Sequence, residues 1–305
     1  MRGAQQGSSR MRTPPLRIGL AASRRYRCAD GAAQRWLELC GAALVDEFDA
    51  ELLVVGQTYD DLADLRALPA GLAVRRLPSR REGGLIRLVA GIVDESGPDA
   101  LDAVIYLLDP DDPTSVFPEG LALKRQCVIH RKPFIATLSH AREWVEIERV
   151  LSGATPDPAL AEAFDPAGKT LALVAHDACK PALVSFARDH FALLDRYSSR
   201  VATGTTGGLL NELAAARRDV PAWVKRLRSG PNGGDAEIAR EILAGACDRV
   251  IFFEDPHVAR QHEADIQLLE RSARMTPRGV PCLTESRSAE RWAQATAVRL
   301  AHAQR

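Results

Sequence analysis

Short apolar segments alternate with helical stretches along the chain. Arg17–Ser23 and Leu171–Asp177 are apolar runs of strand length, and each opens into a loop and then into an amphipathic stretch. Helices are predicted over Pro181–Leu194 and over Ala236–Ala244, the second ended by Gly245. Short apolar runs separated by helices are typical of a parallel sheet covered by helices on both faces. The pattern predicts an α/β fold with mostly parallel sheets.

This pattern occurs twice, about 150 residues apart. Four segments of the first half have counterparts in the second half, and the order is the same in both. Chance similarity between apolar runs would not keep that order, so the sequence predicts a duplicated domain. The matches are Arg17–Ser23 with Leu171–Asp177, Val54–Thr58 with Ala202–Thr206, Leu77–Leu85 with Leu227–Asp235, and Asp102–Pro110 with Asp248–Pro256.

A segment rich in Pro and Gly separates the two copies, which predicts a linker. Each copy is long enough to build its own core. The sequence therefore predicts two tandem Rossmann-like three-layer domains, each with a mostly parallel sheet. The predicted boundaries are a disordered tail over residues 1–14, a first domain over 15–150, the linker over 151–168, and a second domain over 169–305.

Composition narrows the class of protein. Forty basic side chains balance forty acidic ones, which disfavours a protein that binds nucleic acid through bulk charge. No apolar run has the length of a membrane helix, and the basic N-terminus lacks the apolar core of a secretory signal. The six cysteines show no C-x-x-C spacing. We therefore predict a cytoplasmic protein with neither nucleic acid nor membrane as a partner.

Two glycine-rich loops follow predicted strands of the second half, Thr203–Gly208 and Ser229–Asp235. Glycine lets the backbone approach a ligand, hydroxyls and amides donate hydrogen bonds, and the following helix presents its positive end. A single loop of this kind is more often only a turn. Two of them, with Lys180 after a neighbouring strand, predict a site for a phosphate-sized anion. Neither the P-loop nor the dinucleotide fingerprint is present.

Candidate acids and bases accompany these loops, namely Asp235, His262, Asp265, His176 and Asp177. Each has a simpler interpretation: a single His is more often structural, Asp235 after Gly-Gly is typical of a helix N-cap, and Asp177 can serve only to orient a loop. Their coincidence with the anion loops favours chemistry. No H-E-x-x-H spacing is present, so no metal site is predicted.

These motifs together resemble the methylglyoxal synthase family. The resemblance covers about residues 169–292 and implies a Rossmann-like fold, an oligomer and a carbon–oxygen lyase. It implies that dihydroxyacetone phosphate is converted to methylglyoxal and inorganic phosphate without a metal or an organic cofactor. The motifs that carry it are, in order, Val174–Lys180, Ala202–Gly207, Ser229–Asp235, Phe252–Pro256, His262 with Asp265, and Arg271.

The resemblance also implies a role for each site residue. Asp235 is the base, His262 and His176 donate to the enediolate, and Asp265 and Asp177 orient the imidazoles and relay protons. The phosphate is held by His176, Lys180, Thr203, Thr205, Thr206, Ser229 and Gly230.

The sequence departs from the family at two places. Glu285 follows Pro281–Thr284, where the family usually has Asn. A C-terminal arginine that helps hold phosphate in some members has no clear counterpart, and Arg299 or Arg305 are the candidates to replace it. These departures bear on an allosteric response to phosphate more than on the chemistry.

The first half lacks the catalytic side chains. In the repeat, His176 aligns with Ala22, Asp177 with Ser23, Lys180 with Tyr26, and Asp235 with Leu85. Because leucine cannot remove a proton, we predict a non-catalytic domain. It serves subunit packing, or it binds a regulatory anion through the arginines near the equivalent edge, Arg24, Arg25, Arg27, Arg80 and Arg81.

Two functions from different classes remain open. The first is the lyase, and the alternative is a non-catalytic sensor of a metabolite or of phosphate, as in the regulatory domain of carbamoyl-phosphate synthetase. The retention of Asp235, His262 and Asp265 favours the enzyme, because a sensor needs no base. A purine-pathway cyclohydrolase is disfavoured by the complete set of motifs. The duplication further predicts a homo-oligomer, in which three two-domain chains supply the six positions of a hexamer.

Overall fold

A computed structural model describes residues 15–112, 117–217, 222–257 and 263–304, without the side chains of residue 231 and residues 263–266. The predicted tail, His262 and Arg305 lie outside the described residues, as does the side chain of Asp265. Among the helices that are described, none combines the length and the apolar character needed to cross a membrane.

The described residues form two five-stranded sheets, and every paired strand in them is parallel. The prediction of mostly parallel sheets is therefore confirmed. The first sheet contains β1 (Arg17–Ala22), β2 (Glu51–Val54), β3 (Ala73–Arg76), β4 (Ala103–Leu107) and β5 (Phe134–Ile135). The second contains β6 (Thr170–Ala175), β7 (Ser199–Ala202), β8 (Lys225–Arg226), β9 (Arg249–Phe253) and β10 (Cys282–Leu283).

The strand order is the same in both sheets. It is β3-β2-β1-β4-β5 in the first and β8-β7-β6-β9-β10 in the second. In each case the first strand of the half lies at the centre, and the chain moves to one edge before it crosses to the other.

Helices connect successive strands. Those of the first half are α1 (Ala32–Asp46), α2 (Gly56–Asp64), α3 (Gly84–Val93), α4 (Pro118–Ile129) and α5 (Leu138–Leu151). Those that follow are α6 (Ala161–Phe164), α7 (Lys180–Asp189), α8 (Phe191–Leu194), α9 (Gly204–Ala215), α10 (Gly234–Leu243), α11 (Glu263–Met275) and α12 (Ser286–Ala303).

Each sheet is the middle of three layers. Along β1, Leu20 packs in one cluster with Trp36 of α1, whereas Ala21 packs in another with Leu88 of α3. The strand β6 divides its side chains between two clusters in the same way. Because successive side chains of a strand point to opposite faces, both faces of each sheet are buried. The predicted Rossmann-like three-layer fold is confirmed.

Corresponding loops of the two halves make corresponding hydrogen bonds. The Asp109 amide donates to Ser23 Oγ at 3.2 Å, and the Asp255 amide donates to His176 Nδ1 at 2.8 Å. Ser23 and His176 each follow the central strand directly. Ser23 therefore occupies the position of His176, and the predicted alignment of His176 with Ala22 is off by one residue.

The turns before α3 and α10 also correspond. Gly83 has a φ of 89° and Gly233 a φ of 93°, and each ends a short 3₁₀ turn that leads into the helix. Glycine adopts this left-handed conformation without the steric cost that other residues meet. Leu85 and Asp235 are then the second residues of the two helices. The predicted alignment of Asp235 with Leu85 agrees with this geometry.

Two predicted segments differ from the structure. The helix predicted over Pro181–Leu194 is interrupted at His190, which separates α7 from α8 and lies with Nε2 2.5 Å from Glu290 Oε2. The predicted linker contains α6, and Phe164 of that helix is buried in a core of the second half. The predicted linker is therefore partly helical and is packed on the second half through Phe164. Its Pro and Gly content had predicted an irregular segment.

Helix α5 belongs to the cores of both halves. Trp144 packs in a cluster of the first half, whereas Ile147 and Val150 pack in a cluster of the second. On the same helix, Glu143 accepts from Arg249 Nη2 at 2.6 Å, and both side chains are buried. The two halves are thus joined by apolar contacts and by a buried ion pair.

Candidate active site

The anion loops and the first candidate imidazole meet at one edge of the second sheet. His176, Thr203 and Ser229 come after β6, β7 and β8, which are neighbours in the sheet. Because these strands are parallel, their carboxyl ends lie at the same edge, where ligands bind in folds of this class. The structure brings these three predicted site residues to a common edge.

The ring of His176 is fixed by the backbone of the loop after β9. The Asp255 amide donates to His176 Nδ1 at 2.8 Å, and the ring meets Phe252 edge-on with centroids 4.9 Å apart. A backbone N–H only donates, so Nδ1 accepts and the neutral ring carries its proton on Nε2. His176 is therefore held as a donor through Nε2. The sequence analysis did not predict that the Asp255 amide orients the His176 ring.

The carboxylate of Asp235 lies against the second glycine-rich loop. A Cβ atom placed on Gly230 would be 3.0 Å from Asp235 Oδ2. The N-cap of α10 is Gly233, so the simpler interpretation of Asp235 as an N-cap is wrong. Asp235 is half-buried. The glycine at 230 leaves room for a carboxylate beside the loop that is predicted to hold the anion.

The three threonines of the first glycine-rich loop differ in exposure. Thr203 is buried, Thr206 is fully buried, and Thr205 is exposed. The hydroxyl of Thr203 lies 3.5 Å from that of Thr206, the upper limit for a hydrogen bond. Thr203 is also the N-cap residue of α9, and its side chain caps no amide of that helix. The buried Thr206 hydroxyl thus lies behind that of Thr203, and the Thr205 hydroxyl is the one of the three that is exposed to a ligand in solvent.

Lys180 and Asp177 form an ion pair at the start of α7. The side chain of Lys180 is 16% exposed, whereas that of Asp177 is 95% exposed. The ammonium therefore lies mostly within the protein, and the carboxylate that balances it lies in solvent. This pair leaves Asp177 oriented toward the lysine, while the amide of Asp255 orients the His176 imidazole.

Helix α4 of the first half holds the loop that positions His176. Lys124 Nζ lies 2.8 Å from Glu254 Oε2 and 2.8 Å from Glu270 Oε1, and all three side chains are largely buried. The next residue, Arg125, donates from Nε to the carbonyl of Pro256 at 2.8 Å. Burial raises the pKa of Glu254 to about 7, although the Lys124 ammonium opposes that shift. We name this group, Lys124, Arg125, Glu254 and Glu270, the α4 brace.

Sequence reasoning missed the α4 brace. Glu254 was noted only as part of the Phe252–Pro256 segment, and nothing in the local pattern of α4 marks Lys124 or Arg125. Their partners lie more than a hundred residues away in the chain. The scarcity of lysine in this chain was a weak signal, since Lys124 is one of few among many arginines.

Glu285 and Arg299, which belong to the two departures from the family, each have structural partners. Glu285 is the N-cap residue of α12, and its carboxylate accepts from the amides of Arg287 at 2.6 Å and Ser288 at 2.7 Å. Burial raises the pKa of this carboxyl group. Arg299 is buried, where it pairs with Glu146 and donates to the Asp157 carbonyl at 2.7 Å. Arg299 is thus a structural residue and does not replace the phosphate-binding arginine.

The structure says less about the site roles of three residues that carry the family resemblance: His262, Asp265 and Arg271. His262 and the side chain of Asp265 lie outside the described residues. Arg271 is described, and its Nη2 lies 3.7 Å from Asp111 Oδ1 of the first half. Within the described ranges, no three His, Cys, Asp or Glu side chains are grouped as metal ligands. The absence of a metal from the reaction stays a prediction.

A cavity of about 820 Å³ lies between the halves at the opposite end of the second sheet. Its lining includes Lys169, Tyr197 and Asp248, which precede β6, β7 and β9. These are the amino ends of the strands, whereas His176 and Thr203 lie at the carboxyl ends. This cavity therefore lies away from the glycine-rich loops and from His176, where the predicted site residues are found.

Comparisons with known proteins agree with the resemblance. No profile of a known protein family matches the chain. The chain is 43% identical to methylglyoxal synthase from Pseudoalteromonas atlantica over 118 residues, which are 39% of this chain and 82% of that protein. It is 40% identical to methylglyoxal synthase from Thermus thermophilus over 122 residues, which are 40% of this chain and 90% of that protein.

A solved structure adds a further relative. Methylglyoxal synthase from Elizabethkingia anophelis is 37% identical, with a TM-score of 0.33, and the match covers 40% of this chain and 74% of that one. The sequence matches thus span most of each relative but less than half of this chain. On the strength of that identity and coverage, the chain belongs to the methylglyoxal synthase family.

Proposed function

We propose that this protein is a methylglyoxal synthase, a carbon–oxygen lyase that converts dihydroxyacetone phosphate to methylglyoxal and inorganic phosphate. The observation that carries the proposal is the carboxylate of Asp235, which lies against Gly230 of a glycine-rich loop. A base beside an anion-binding loop suits a substrate that carries both an acidic C–H bond and a phosphate. The relatives that share this name support the same activity.

The first proposed step is proton removal by Asp235. The hydroxymethyl carbon of the substrate lies next to the carbonyl, so its C–H bond is the one that a general base can break. The electron pair of that bond forms the carbon–carbon double bond of an enediolate. His176 donates from Nε2 to the oxygen that gains charge, because its Nδ1 is occupied by the Asp255 amide. His262 is proposed as a second donor. Asp265, three residues further along the chain, is proposed to orient its imidazole.

In the second step the bond between carbon and the phosphate oxygen breaks. As that bond breaks, the terminal hydroxyl of the enediolate loses its proton and becomes the aldehyde carbonyl, the carbon–carbon double bond shifts to the phosphate-bearing carbon, and the C–O electron pair leaves with the phosphate, which takes up a proton. The enolate that remains takes up one proton at the former phosphate-bearing carbon and becomes methylglyoxal. Lys180 and the loops that contain Thr203, Thr205, Ser229 and Gly230 hold the leaving group. Donors and positive charge at this point stabilise the growing charge on phosphate. Proton transfers and one bond cleavage account for the whole reaction, so the proposal includes neither a metal nor an organic cofactor.

We infer that the first half is a non-catalytic copy of the same domain. The shared strand order and the matching bonds to Ser23 Oγ and His176 Nδ1 support this inference. At the two decisive positions the first half carries Ser23 and Leu85, which supply neither an imidazole nor a base. Through the contacts of the α4 brace, this copy is proposed to support the catalytic one.

The sensor alternative is not favoured. A protein that only senses phosphate needs the glycine-rich loops, but a carboxylate beside them repels a bound anion. The position of Asp235 against Gly230 is therefore a cost for a sensor and a requirement for a lyase.

We also propose that three chains assemble into a homo-oligomer in the cytoplasm, with a small phosphorylated substrate and no nucleic-acid or membrane partner. Three two-domain chains then supply six domains. Native mass spectrometry tests the assembly: we expect three times the 33.1 kDa of one chain. A mass equal to a single chain contradicts it.

The activity is tested by incubating the purified chain with dihydroxyacetone phosphate. We expect methylglyoxal and inorganic phosphate to appear in equal amounts, at a rate proportional to the protein concentration. Binding of the substrate without either product would support the sensor and contradict the lyase.

A further inference from the structure

A second concave space lies at the carboxyl edge of the first sheet. Its volume is about 570 Å³, within the range of about 300–1,000 Å³ that small-molecule sites occupy. Residues that follow β1, β4 and β5 form one wall, among them Tyr26, Leu108 and Thr137. The last two residues of α11 and the loop that follows them, residues 274–279 together, form the opposite wall. The cavity therefore has one wall from each half of the chain.

The lining carries more positive than negative charge. Four arginines line it, two from each half, namely Arg25, Arg35, Arg274 and Arg278. Two acidic residues also line it, Asp30 and Asp111. The carboxylate of Asp111 lies 3.7 Å from the Arg271 guanidinium, and that of Asp109 lies 3.8 Å from the Arg25 guanidinium. The excess positive charge of the lining therefore comes mainly from Arg35, Arg274 and Arg278. Such a surface attracts an anion.

Arg274 is the most buried of the four arginines that line this cavity. Its side chain is 12% exposed, and its nearest carboxylate, Glu270, lies 4.0 Å away. Its Nε is buried and has no hydrogen-bond partner among the described residues. Among the described residues no carboxylate comes closer than 4.0 Å to the guanidinium, so its charge remains available to an anion in the cavity.

The amino end of α1 faces the same space. Gly31, its N-cap, and Ala32, its first residue, both line the cavity. No side chain caps this end of the 15-residue helix. The first-turn amides and the helix dipole therefore add to the attraction that the arginines exert on an anion.

We propose that this cavity binds a phosphorylated small metabolite. Arginines of both halves and the first turn of α1 hold the phosphate, and Leu107, Leu138 and Met275 of the lining contact the carbon portion. Arginine matches the geometry of phosphate oxygens and binds them with paired hydrogen bonds. The site differs from the candidate active site, which lies at the edge of the other sheet.

The arginines predicted from the sequence are mostly not those of the cavity. Of the five near the equivalent edge, Arg25 lines it, whereas Arg27 pairs with Asp61 at 2.8 Å. Arg274 and Arg278 come from the second half, and no repeat-based comparison pointed to them. A site between two halves takes residues from both, and the sequence of one half does not reveal it.

The test counts bound inorganic phosphate on the full chain by isothermal titration. The natural chain is expected to bind two phosphates, one at each sheet edge. In Arg35→Met/Arg278→Met, both altered side chains are exposed, so the fold is retained and one phosphate is lost or bound at least tenfold more weakly. Arg274→Met is expected to give the same loss. Arg87→Met removes an exposed arginine of α3 and keeps both phosphates.

Lys180→Met separates this inference from the proposed function. It is expected to weaken the phosphate at the candidate active site and to leave the other unchanged. Phosphate binding by Arg35→Met/Arg278→Met within twofold of the natural chain would overturn the inference and leave the lyase intact. Two phosphates in Lys180→Met with unchanged affinity would count against the active-site cradle and leave the second site standing.

Discussion

At the scale of single residues, the two halves differ in side chains placed on the same backbone. Ser23 and His176 accept the same kind of bond from a backbone amide, at 3.2 and 2.8 Å. Leu85 and Asp235 follow the same left-handed glycine turn. A hydroxyl and an isobutyl group cannot replace an imidazole and a carboxylate in proton transfer. On the proposed function, the two halves would therefore differ in activity because of a few side chains and not because of a different fold.

The first prediction separates the two nitrogens of His176. The variant His176→Asn retains an acceptor near the position of Nδ1 but does not reach the position of Nε2. We expect kcat to fall by about 10²–10³, the usual cost of losing one donor to a developing oxyanion, with little change in melting temperature. Steady-state kinetics and thermal unfolding measure the two effects.

Ser23→Ala is the matched control, because it removes the equivalent acceptor in the first half. It should leave kcat unchanged. A kcat for His176→Asn close to that of the natural chain would show that Nε2 takes no part.

The free energy of unfolding is expected to depend on pH through Glu254. Burial raises the pKa of Glu254 to about 7; the Lys124 ammonium opposes this shift and the Glu270 carboxylate adds to it. In an unfolded chain the pKa of a glutamate is about 4.3. The folded state binds the proton more tightly, so this stabilisation is complete at low pH and is lost as pH rises through about 7. Compared with Glu254→Gln, the natural chain should lose stability between about pH 4 and about pH 7.

Urea unfolding of both proteins across that range measures the difference. Parallel pH profiles would contradict a buried, titrating Glu254.

At the scale of elements, the sequence predicted the parts that local pattern determines. The short apolar runs predicted β1 to within one residue and β6 to within two, and the glycine-rich loops marked the starts of α9 and α10. The break at His190 was missed, because the residues on both sides favour a helix and the interruption depends on contacts such as that with Glu290. The α4 brace was missed for a related reason, since packing between the halves brings Lys124 to Glu254.

The third prediction tests the α4 brace. In Lys124→Met two buried carboxylates lose their cation, so we expect a loss of stability of about 3–5 kcal/mol, typical of a broken buried ion pair. Turnover per folded molecule should also fall, because the loop that orients His176 is no longer held. The measurement is kcat at a temperature where unfolding experiments show that the variant is folded.

Lys132→Met is the control for this change. Lys132 also bonds across the first half, to the carbonyls of Ile92 at 2.8 Å and Asp94 at 3.1 Å, but it touches no part of the brace. It should lose some stability and keep its kcat. If Lys124→Met keeps the natural kcat as well, the brace has no role in positioning.

At the scale of the whole molecule, the halves are joined too closely to act as independent units. Helix α5 contributes to the cores of both, and Ser139 Oγ at its start donates to the Gly279 carbonyl of the second half at 2.7 Å. Glu148 of the same helix accepts from Arg291 Nε of α12 at 2.9 Å. These contacts are consistent with cooperative unfolding of the whole chain.

The fourth prediction addresses that connection. Glu143→Ala leaves Arg249 buried without its carboxylate partner, and we expect the free energy of unfolding to fall by about 3–5 kcal/mol. Glu143→Gln keeps an acceptor and should lose less. Asp60→Ala, which breaks an exposed pair with Arg76, should change little. Two separate unfolding transitions in the natural chain would contradict a joint unit.

Turnover of dihydroxyacetone phosphate by Asp235→Asn shows whether the Asp235 carboxylate is the base that removes the substrate proton. Asparagine keeps the size of the side chain beside Gly230 but cannot accept the proton. We predict that kcat falls by about 10²–10⁴, the usual contribution of a general base, while phosphate binds as it does to the natural chain or more tightly. A kcat within a few-fold of the natural value would show that another group removes the proton and would contradict the account.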